Sequence, residues 1–405
     1  MIYRRFGKTG INLPVINTGF MRCMHQWQDI PLTEIPRDSQ HNMEAVVMRA
    51  LDLGINHFET AHDYGSSERQ LGLALQKVDR DQCVVQTKVQ PTADPEEFEA
   101  HFFDSLARLQ LERVDLLAIH GINDHRSFWH TCRKGGCLAM ARRLQDQGFV
   151  GNVGFSGHGS TEIILEAVRH QEDGGFDYMN VHWYFIFQVH WPAIAEAHER
   201  DLGVHIISPT DKGGQLQDPP AGLIELSRPL TPMLFNDLFC LSHPEVTSIS
   251  VGAAVPSDFD EHLKLVDWLD NGSDEVKRIS ARWQTLMLEK AGVERPEQLW
   301  ADLPAWDRTP GYINIPFILW LYNLARGWGM DAFARKRYSM MGREGPWVPG
   351  RNGADVGTYD PSALLRKSGH DPEMIIRQLT EAHHYLTVGS FGKQVIFREI
   401  LRKPE

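Results

Sequence analysis

Residues 1–270 alternate short apolar segments with longer amphipathic ones. The amphipathic segments repeat apolar residues every three or four positions, as Leu71, Leu75 and Val78 do in SERQLGLALQKV, which is typical of helices. The short segments are rich in valine and isoleucine and predict strands. In chain order, they are VINTGF (15–20), INHFET (55–60), CVVQTKV (83–89), VDLLAIH (114–120), VGNVGFS (150–156), DYMNVHW (177–183), VHIISP (204–209) and TSISVG (247–252).

This alternation predicts an α/β protein with a parallel sheet, because each helix returns the chain to the start of the next strand. Eight such units in about 250 residues fit a closed (β/α)8 TIM barrel better than an open sheet. In such barrels the loops that follow the strands carry the chemistry.

The pattern changes after the segment DNGSD, residues 270–274. Helical periodicity continues in residues 274–292, 315–341 and 372–386, separated by loops rich in glycine, proline and tryptophan, and strand alternation stops. We therefore predict two domains, a barrel over residues 1–270 and a small, mainly helical domain over residues 271–405.

Composition and charge narrow the function classes. The 405 residues carry a formal net charge of −12, which argues against nucleic acid or an anionic membrane as the main partner. Five scattered cysteines form no disulfide framework and suit a reducing compartment. The late apolar stretch INIPFILWLYNLA is too short and too interrupted to span a bilayer. We expect a cytoplasmic protein that acts on a small molecule.

Four polar residues fall at or just beyond the ends of three successive predicted strands. Glu59 is near the end of the second strand, with Tyr64 in the loop that follows. Lys88 and His120 are near or at the ends of the third and fourth strands. In a parallel barrel all four side chains point toward the same mouth.

These residue types suit carbonyl reduction. A tyrosine hydroxyl has an ordinary pKa of about 10, and a nearby ammonium lowers that pKa. A carboxylate can hold the lysine in place, and a histidine can donate to a substrate carbonyl and polarise it. Together the four groups protonate a developing alkoxide, and the hydride must come from a cofactor.

The chain resembles the aldo-keto reductases in several segments that occur in the family's order. They are MIYRRFGKTGINLPVINTGF, INHFETAHDYGSSERQLGLAL, QTKV, LLAIHG, VGFSGH, ISPTDKGGQL and HPEVTSISVGAAVPSDFDEHL. The resemblance implies a (β/α)8 barrel in which Tyr64 donates the proton, Lys88 tunes its pKa and His120 orients the carbonyl. Glu59 stands where the family has aspartate, so its carboxylate is one methylene further from the backbone.

The same resemblance implies a nicotinamide cofactor and the residues that bind it. NADP is the expected cofactor, and NAD stays open because Ile207 replaces the usual stacking aromatic and Asp258 stands in a loop without the usual Arg or Lys. Trp27, after the first strand, is a candidate for the substrate pocket. The cofactor-binding candidates are Gly19, Ser156, Gly157, Asn180, Ser208, Pro209, Gly213, Gly214, Leu216, Gly252 and Ala253.

The C-terminal region resembles a ferredoxin-like extension found in a subgroup of these reductases. The resemblance lies in the segment LWADLPAWDRTPGYINIPFILWLYNLAR, which has a similar pattern of residues to that extension. However, no cysteine follows Cys240. Iron–sulfur clusters need thiolate ligands, so we expect no cluster and a core filled by aromatic residues instead. Cys132 and Cys137 lack a second ligand pair, so no metal site is expected.

Two function classes stay open from the sequence. The first is an NAD(P)-dependent oxidoreductase that interconverts a carbonyl and an alcohol, with Tyr64 as general acid and base. The second is a catalytically weak or inactive module that binds the cofactor and serves in redox sensing or interaction. Three differences from the family pattern favour it: Glu59, Ile207 and the missing cluster cysteines.

Overall fold

The computed structural model describes residues 1–342 and 348–388. The chain divides into two compact units, residues 1–281 and residues 282–405. The division falls inside one helix, Ser273–Ala291, which begins within the segment where the sequence pattern changes. The boundary after residue 270 stays a prediction.

The first unit is a closed barrel of eight parallel strands, which confirms the predicted fold class. A short antiparallel hairpin, β1 and β2, precedes the barrel, and strands β3 to β10 follow one another around it until β10 pairs with β3. The strands are β1 (Tyr3–Arg5), β2 (Asn12–Pro14), β3 (Ile16–Gly19), β4 (His57–Glu59), β5 (Val84–Val89), β6 (Val114–His120), β7 (Val150–Gly157), β8 (Tyr178–Val181), β9 (Gly203–Ile206) and β10 (Ser248–Val251).

Helices connect the barrel strands on the outside, as the amphipathic segments predict. The stretch 257–269, which reads as one helix in the sequence, is divided into short pieces. The helices up to the division are α1 (Arg37–Asp52), α2 (Ser67–Leu75), α3 (Pro95–Leu109), α4 (His125–Cys132), α5 (Cys137–Asp146), α6 (Thr161–Arg169), α7 (Trp191–Glu199), α8 (Pro209–Lys212), α9 (Ala221–Ser227), α10 (Pro232–Leu241), α11 (Phe259–Leu263), α12 (Leu265–Trp268) and α13 (Ser273–Ala291).

An apolar floor closes the barrel at the end where the strands begin. The hairpin brings Phe6 against Tyr178, with ring centroids 5.2 Å apart, and both rings are fully buried. Two glycines make room for them, since a Cβ on Gly154 would lie 2.6 Å from the Tyr178 ring and one on Gly203 would lie 2.4 Å from the Phe6 ring. Close packing of this kind leaves no open channel along the axis.

Above this floor the barrel interior is unusually polar. His57 on β4 and His205 on β9 face each other with ring centroids 5.5 Å apart, although their strands are not neighbours. The His57 ring also contacts Gln86 on β5, at 3.2 Å between Nε2 and Oε1. Barrel interiors are usually filled by branched apolar residues, so this polar layer is a distinctive feature directly beneath the strand ends.

The second unit, where described, is built from helices with no strand among its assigned elements. The stretch 315–341 reads as one helical segment, but it divides at Gly329, whose φ of 66° ends the helix in the left-handed conformation. The helices are α14 (Ile315–Trp328), α15 (Asp331–Met340), α16 (Ser362–Lys367) and α17 (Pro372–Thr387). In the described ranges, none of the helices is both long and apolar enough to span a bilayer.

Aromatic side chains pack the second unit. Trp283 and Trp328 lie 5.0 Å apart between ring centroids, and the Trp328 indole donates to the backbone oxygen of Trp283 at 2.8 Å. Trp300 packs edge-on against Phe317 and Trp320. The aromatic filling predicted from the sequence is therefore present in this unit.

Candidate active site

The structure brings Tyr64, Lys88 and Glu59 into direct contact at the strand ends of β4 and β5. The Lys88 Nζ lies 4.9 Å from the centroid of the Tyr64 ring and 3.2 Å from Glu59 Oε1. It also donates to the backbone oxygen of Thr60 at 2.8 Å. Lys88 and Glu59 are buried, with only 1% and 5% of their surface exposed. The longer acid therefore does reach the lysine.

Electrostatics keep Glu59 and Lys88 charged despite their burial. Burial works against the carboxylate of Glu59, yet the Lys88 ammonium and the nearby His205 and His57 hold the pKa of Glu59 far below its ordinary value. Burial also works against the Lys88 ammonium, but Glu59 and Tyr64 raise the pKa of Lys88 overall. The pair is an ion pair at neutral pH.

The Tyr64 hydroxyl behaves differently from the expectation in the sequence. Burial raises the pKa of Tyr64, and the opposing effect of Lys88 is too small to bring it below its ordinary value. The lysine does act in the predicted direction, but the neighbouring carboxylates of Glu59 and Asp63 add to the burial effect. Tyr64 is therefore protonated at neutral pH, as a proton donor must be.

His120, at the end of β6, also packs against Tyr64. The two rings meet edge to face with centroids 5.7 Å apart. Burial, followed by the charge of Lys88, lowers the pKa of His120 to about 4, although Asp63 lies 3.8 Å away and opposes this. A neutral imidazole carries one N–H, which can donate to a carbonyl oxygen.

Trp27 stands over the tyrosine from the loop after β3. Its ring is edge-on to Tyr64, with centroids 6.3 Å apart, and 61% of the residue is exposed. The two loops are fitted tightly, since a Cβ on Gly65 would lie 2.1 Å from the backbone oxygen of Gln26, and Gly65 has a positive φ of 44°. Trp27 is thus placed beside Tyr64 with most of its surface open to solvent.

The candidates for the nicotinamide site are on β7 and β8. Ser156 lies opposite His120 on one side and Asn180 on the other. Asn180 is completely buried, and neither atom of its amide has a hydrogen-bond partner in the part of the chain that the structure describes. A buried amide in this state is costly unless a ligand or water completes it. The site therefore fits a group that both donates and accepts, such as a carboxamide.

The loop after β9, which holds several of the cofactor-binding candidates, is tightly folded. Ser208 adopts a left-handed φ of 55° and begins the short helix α8. A Cβ on Gly213 would lie 2.2 Å from the backbone oxygen of Pro209, and Gly214 has a φ of 125°. Leu216, which follows, is buried. Crowding at Gly213 and the backbone conformation of Gly214 both favour glycine, so this loop lies close against its own helix.

The loop after β10 holds Gly252 and Ala253. The Arg22 guanidinium donates to the backbone oxygen of Gly252 at 2.9 Å. The carboxylate of Asp258 accepts from the backbone N–H of Ala254 at 2.8 Å. Gly19 is not in this loop but on β3, where a Cβ would lie 2.9 Å from the Ser250 hydroxyl and 3.5 Å from Glu59. Gly19 therefore lies beside Glu59, and its role in cofactor binding stays a prediction.

Sequence reasoning missed a group of residues at the mouth near the ends of β7 and β8. His182 contacts His158 and Tyr184, and the Lys212 Nζ lies 2.9 Å from His182 Nε2 and 3.3 Å from His158 Nδ1. Burial and the charge of Lys212 lower the pKa of His158 well below its ordinary value. His158 follows Ser156 by two positions, and His182 follows Asn180 by two, so the period of two along a strand could have found both.

Comparison with known families matches residues 16–214 to the aldo/keto reductase family. An L-glyceraldehyde 3-phosphate reductase of Escherichia coli strain K12 is 28% identical over 185 residues, which cover 42% of this chain and 49% of that protein. An uncharacterized oxidoreductase of Mycobacterium bovis is 37% identical over 116 residues, covering 28% of this chain and 34% of that protein. The chain thus spans about half or less of the length of these curated relatives.

Solved structures share the barrel. A holo aldo-keto reductase from Bacillus halodurans superposes with a TM-score of 0.57 at 19% identity, over 70% of this chain and 96% of the other. An aldo-keto reductase from Klebsiella pneumoniae in complex with NADPH gives a TM-score of 0.56 at 19% identity, over 69% and 95%. At this identity the likeness shows the fold, and the family match identifies residues 16–214 as an aldo/keto reductase domain.

Proposed function

We propose that the protein is an NAD(P)-dependent oxidoreductase that reduces a small-molecule carbonyl to an alcohol, or runs the reverse reaction. The observation that carries the proposal is the contact set at the mouth: Lys88 contacts both Glu59 and the Tyr64 ring, and His120 packs edge to face with the same ring. The four residues come from three successive strands and their loops, so the barrel itself sets their geometry.

The chain's own residues supply binding and proton transfer. The neutral imidazole of His120 donates an N–H to the carbonyl oxygen and orients it. Tyr64 gives its proton to the same oxygen as the alkoxide develops. Lys88, fixed by Glu59 and the Thr60 oxygen, stabilises the tyrosinate that is left. In alcohol oxidation the same groups work in reverse, with tyrosinate as the base.

A nicotinamide cofactor supplies or accepts the hydride when it is bound. The unpartnered amide of Asn180 and the neighbouring Ser156 and Gly157 would hold its carboxamide. The tight loop 208–216 would cover the diphosphate, because closely spaced backbone N–H groups bind anions well. The loop that begins at Gly252 and Ala253 would hold the adenosine end.

We propose NADP as the cofactor, and Asp258 as a residue that weakens its binding. The Asp258 carboxylate already accepts from the N–H of Ala254, and its charge opposes a 2′-phosphate. We expect Asp258→Asn to tighten NADPH binding about threefold to tenfold with little change for NADH, because asparagine keeps an acceptor and loses the charge. Fluorescence titration of each cofactor measures this. Equal changes for both cofactors would assign Asp258 a purely structural role.

The reaction itself is tested by cofactor titration followed by substrates. NADPH and NADH fluorescence give the preferred cofactor, and a panel of aldehydes and ketones is then followed by loss of absorbance of that cofactor. We expect turnover of at least one class of carbonyl. Tight cofactor binding without turnover on the carbonyl panel, or on an alcohol panel with the oxidised cofactor, would favour the non-catalytic module instead.

We also propose a cytoplasmic location. All five cysteines, which precede the second unit, are free thiols and buried. This is the usual state of cysteines in a reducing compartment.

A further inference from the structure

The Glu59 carboxylate touches side chains from three other strands. Its Oε1 lies 3.2 Å from Lys88 Nζ on β5 and 3.5 Å from the Ser250 hydroxyl on β10. Its Oε2 lies 3.4 Å from His205 Nε2 on β9. Strands β4 and β9 are not neighbours, so the contact with His205 crosses the barrel interior.

His205 faces the acid from a fully buried position. None of its surface is exposed, and neither ring nitrogen makes a hydrogen bond of ordinary length within residues 1–342 and 348–388. Its ring neighbour His57 directs its own Nε2 to Gln86. A buried N–H without an acceptor is costly, and the Glu59 oxygen is only a few tenths of an ångström beyond hydrogen-bond length.

The length of the acid explains why it reaches this partner. A glutamate carboxylate lies one methylene further into the barrel than an aspartate carboxylate would. At this length one oxygen stays on Lys88 while the other meets the His205 ring. A shorter acid would draw back from His205, whereas a longer acid without a second partner would have more freedom to turn away from the lysine.

We propose that His205 is a positioning residue of the site: its Nε2–H donates to Glu59 Oε2 and thereby holds Oε1 on Lys88. The proposal rests on the proposed reductase function for its catalytic consequence. His205 is not one of the residues that we propose for binding substrate or cofactor. Its contact fixes the position of the Glu59 carboxylate, which in turn fixes the Lys88 ammonium beside Tyr64. Glutamate at position 59 and histidine at position 205 therefore act as a pair.

A double-mutant cycle tests the pair by steady-state kinetics. We expect His205→Leu to lower kcat about tenfold to a hundredfold, since misplacement by about 1 Å has effects of that size, while the Kd for the cofactor stays the same. His205→Gln keeps an N–H donor and should restore most of kcat. In a Glu59→Asp background His205→Leu should change kcat by less than about twofold, because the shorter acid does not reach position 205.

Two results would overturn the proposal. An undiminished kcat in His205→Leu would mean that Glu59 holds its place alone. An equal loss of kcat in both backgrounds would mean that the histidine only supports the barrel. If the leucine variant does not fold, His205→Asn replaces it in the cycle, because the shorter asparagine amide moves the donor away from Glu59 without emptying the site. His205→Gln remains the variant that keeps the donor.

A readout independent of turnover separates this proposal from the reductase proposal. Long-range ¹⁵N–¹H correlation spectra of labelled protein show which ring nitrogen carries the proton, and His205→Gln assigns the signal. A protonated Nε2 supports the contact even if the wild-type protein turns over nothing. An unprotonated Nε2 overturns the contact even if the protein is an active reductase.

Discussion

Tyr64→Phe is expected to lower kcat by about 10²-fold to 10⁴-fold, which is the usual contribution of a positioned general acid. The Kd for the cofactor should stay unchanged. Phenylalanine keeps the ring that packs against Trp27, His120 and Lys88, so the pocket keeps its shape. It removes only the hydroxyl. Steady-state turnover with the preferred cofactor, together with fluorescence titration of that cofactor, separates the two effects.

A matched control for this variant lies at the opposite end of the barrel unit. Tyr3 is on the hairpin strand β1, and its hydroxyl donates to the backbone oxygen of Gly54. Tyr3→Phe makes the same chemical change outside the mouth, so its kcat should equal that of the wild-type protein. If Tyr64→Phe keeps wild-type turnover, the mechanism proposed for Tyr64 is wrong, whatever the cofactor affinity.

The raised pKa of Tyr64 bears on the direction of the reaction. Burial keeps the proton on the hydroxyl at neutral pH, so the residue starts in the form that the proposed carbonyl reduction needs. Alcohol oxidation needs the tyrosinate, so its rate should increase with pH until the tyrosine titrates. The same burial makes the Tyr64 hydroxyl a weaker acid and keeps tyrosinate scarce at neutral pH, so the proposed proton transfer depends on Lys88 to stabilise the tyrosinate as the proton leaves.

Periodicity was enough to predict the barrel and the place of the four mouth residues. Each of the eight apolar segments overlaps a barrel strand, and residues at successive strand ends of a parallel sheet must meet. Glu59, Lys88 and His120 needed only that argument. The family resemblance added roles to them, and it added Asn180, whose amide has no partner among the described residues, a feature that only the structure shows.

Contacts across the barrel were beyond the sequence. Glu59 and His205 are far apart along the chain and lie on strands that are not paired, so their meeting depends on how the closed barrel is staggered. The sign of the Tyr64 pKa shift was also out of reach, because it depends on the balance between burial and one nearby charge. Burial is a property of the folded chain, and no spacing reveals it.

Glu59→Gln is expected to lower the free energy of unfolding at pH 7 by about 3–5 kcal/mol, the usual cost of removing one partner from a buried ion pair. The change removes the carboxylate that pairs with Lys88. The Lys88 ammonium then stays in the barrel interior, with 1% of its surface exposed, without that negative charge beside it. Chemical denaturation measures the loss. Glu44→Gln is the control, because Glu44 pairs with a largely exposed Lys77 and such pairs contribute only about 0–1 kcal/mol.

The pH dependence of that loss identifies its cause. In the wild-type protein Glu59 raises the pKa of Lys88, and without Glu59 burial dominates and lowers it. The unfolded variant then binds more protons than the folded one between that lowered pKa and the ordinary lysine pKa of about 10.4, so stability increases with pH in this range. The penalty of Glu59→Gln should therefore shrink as the pH rises from 7 toward 9.5. A penalty that is independent of pH would show that lost packing, and not the isolated charge of Lys88, destabilises the variant.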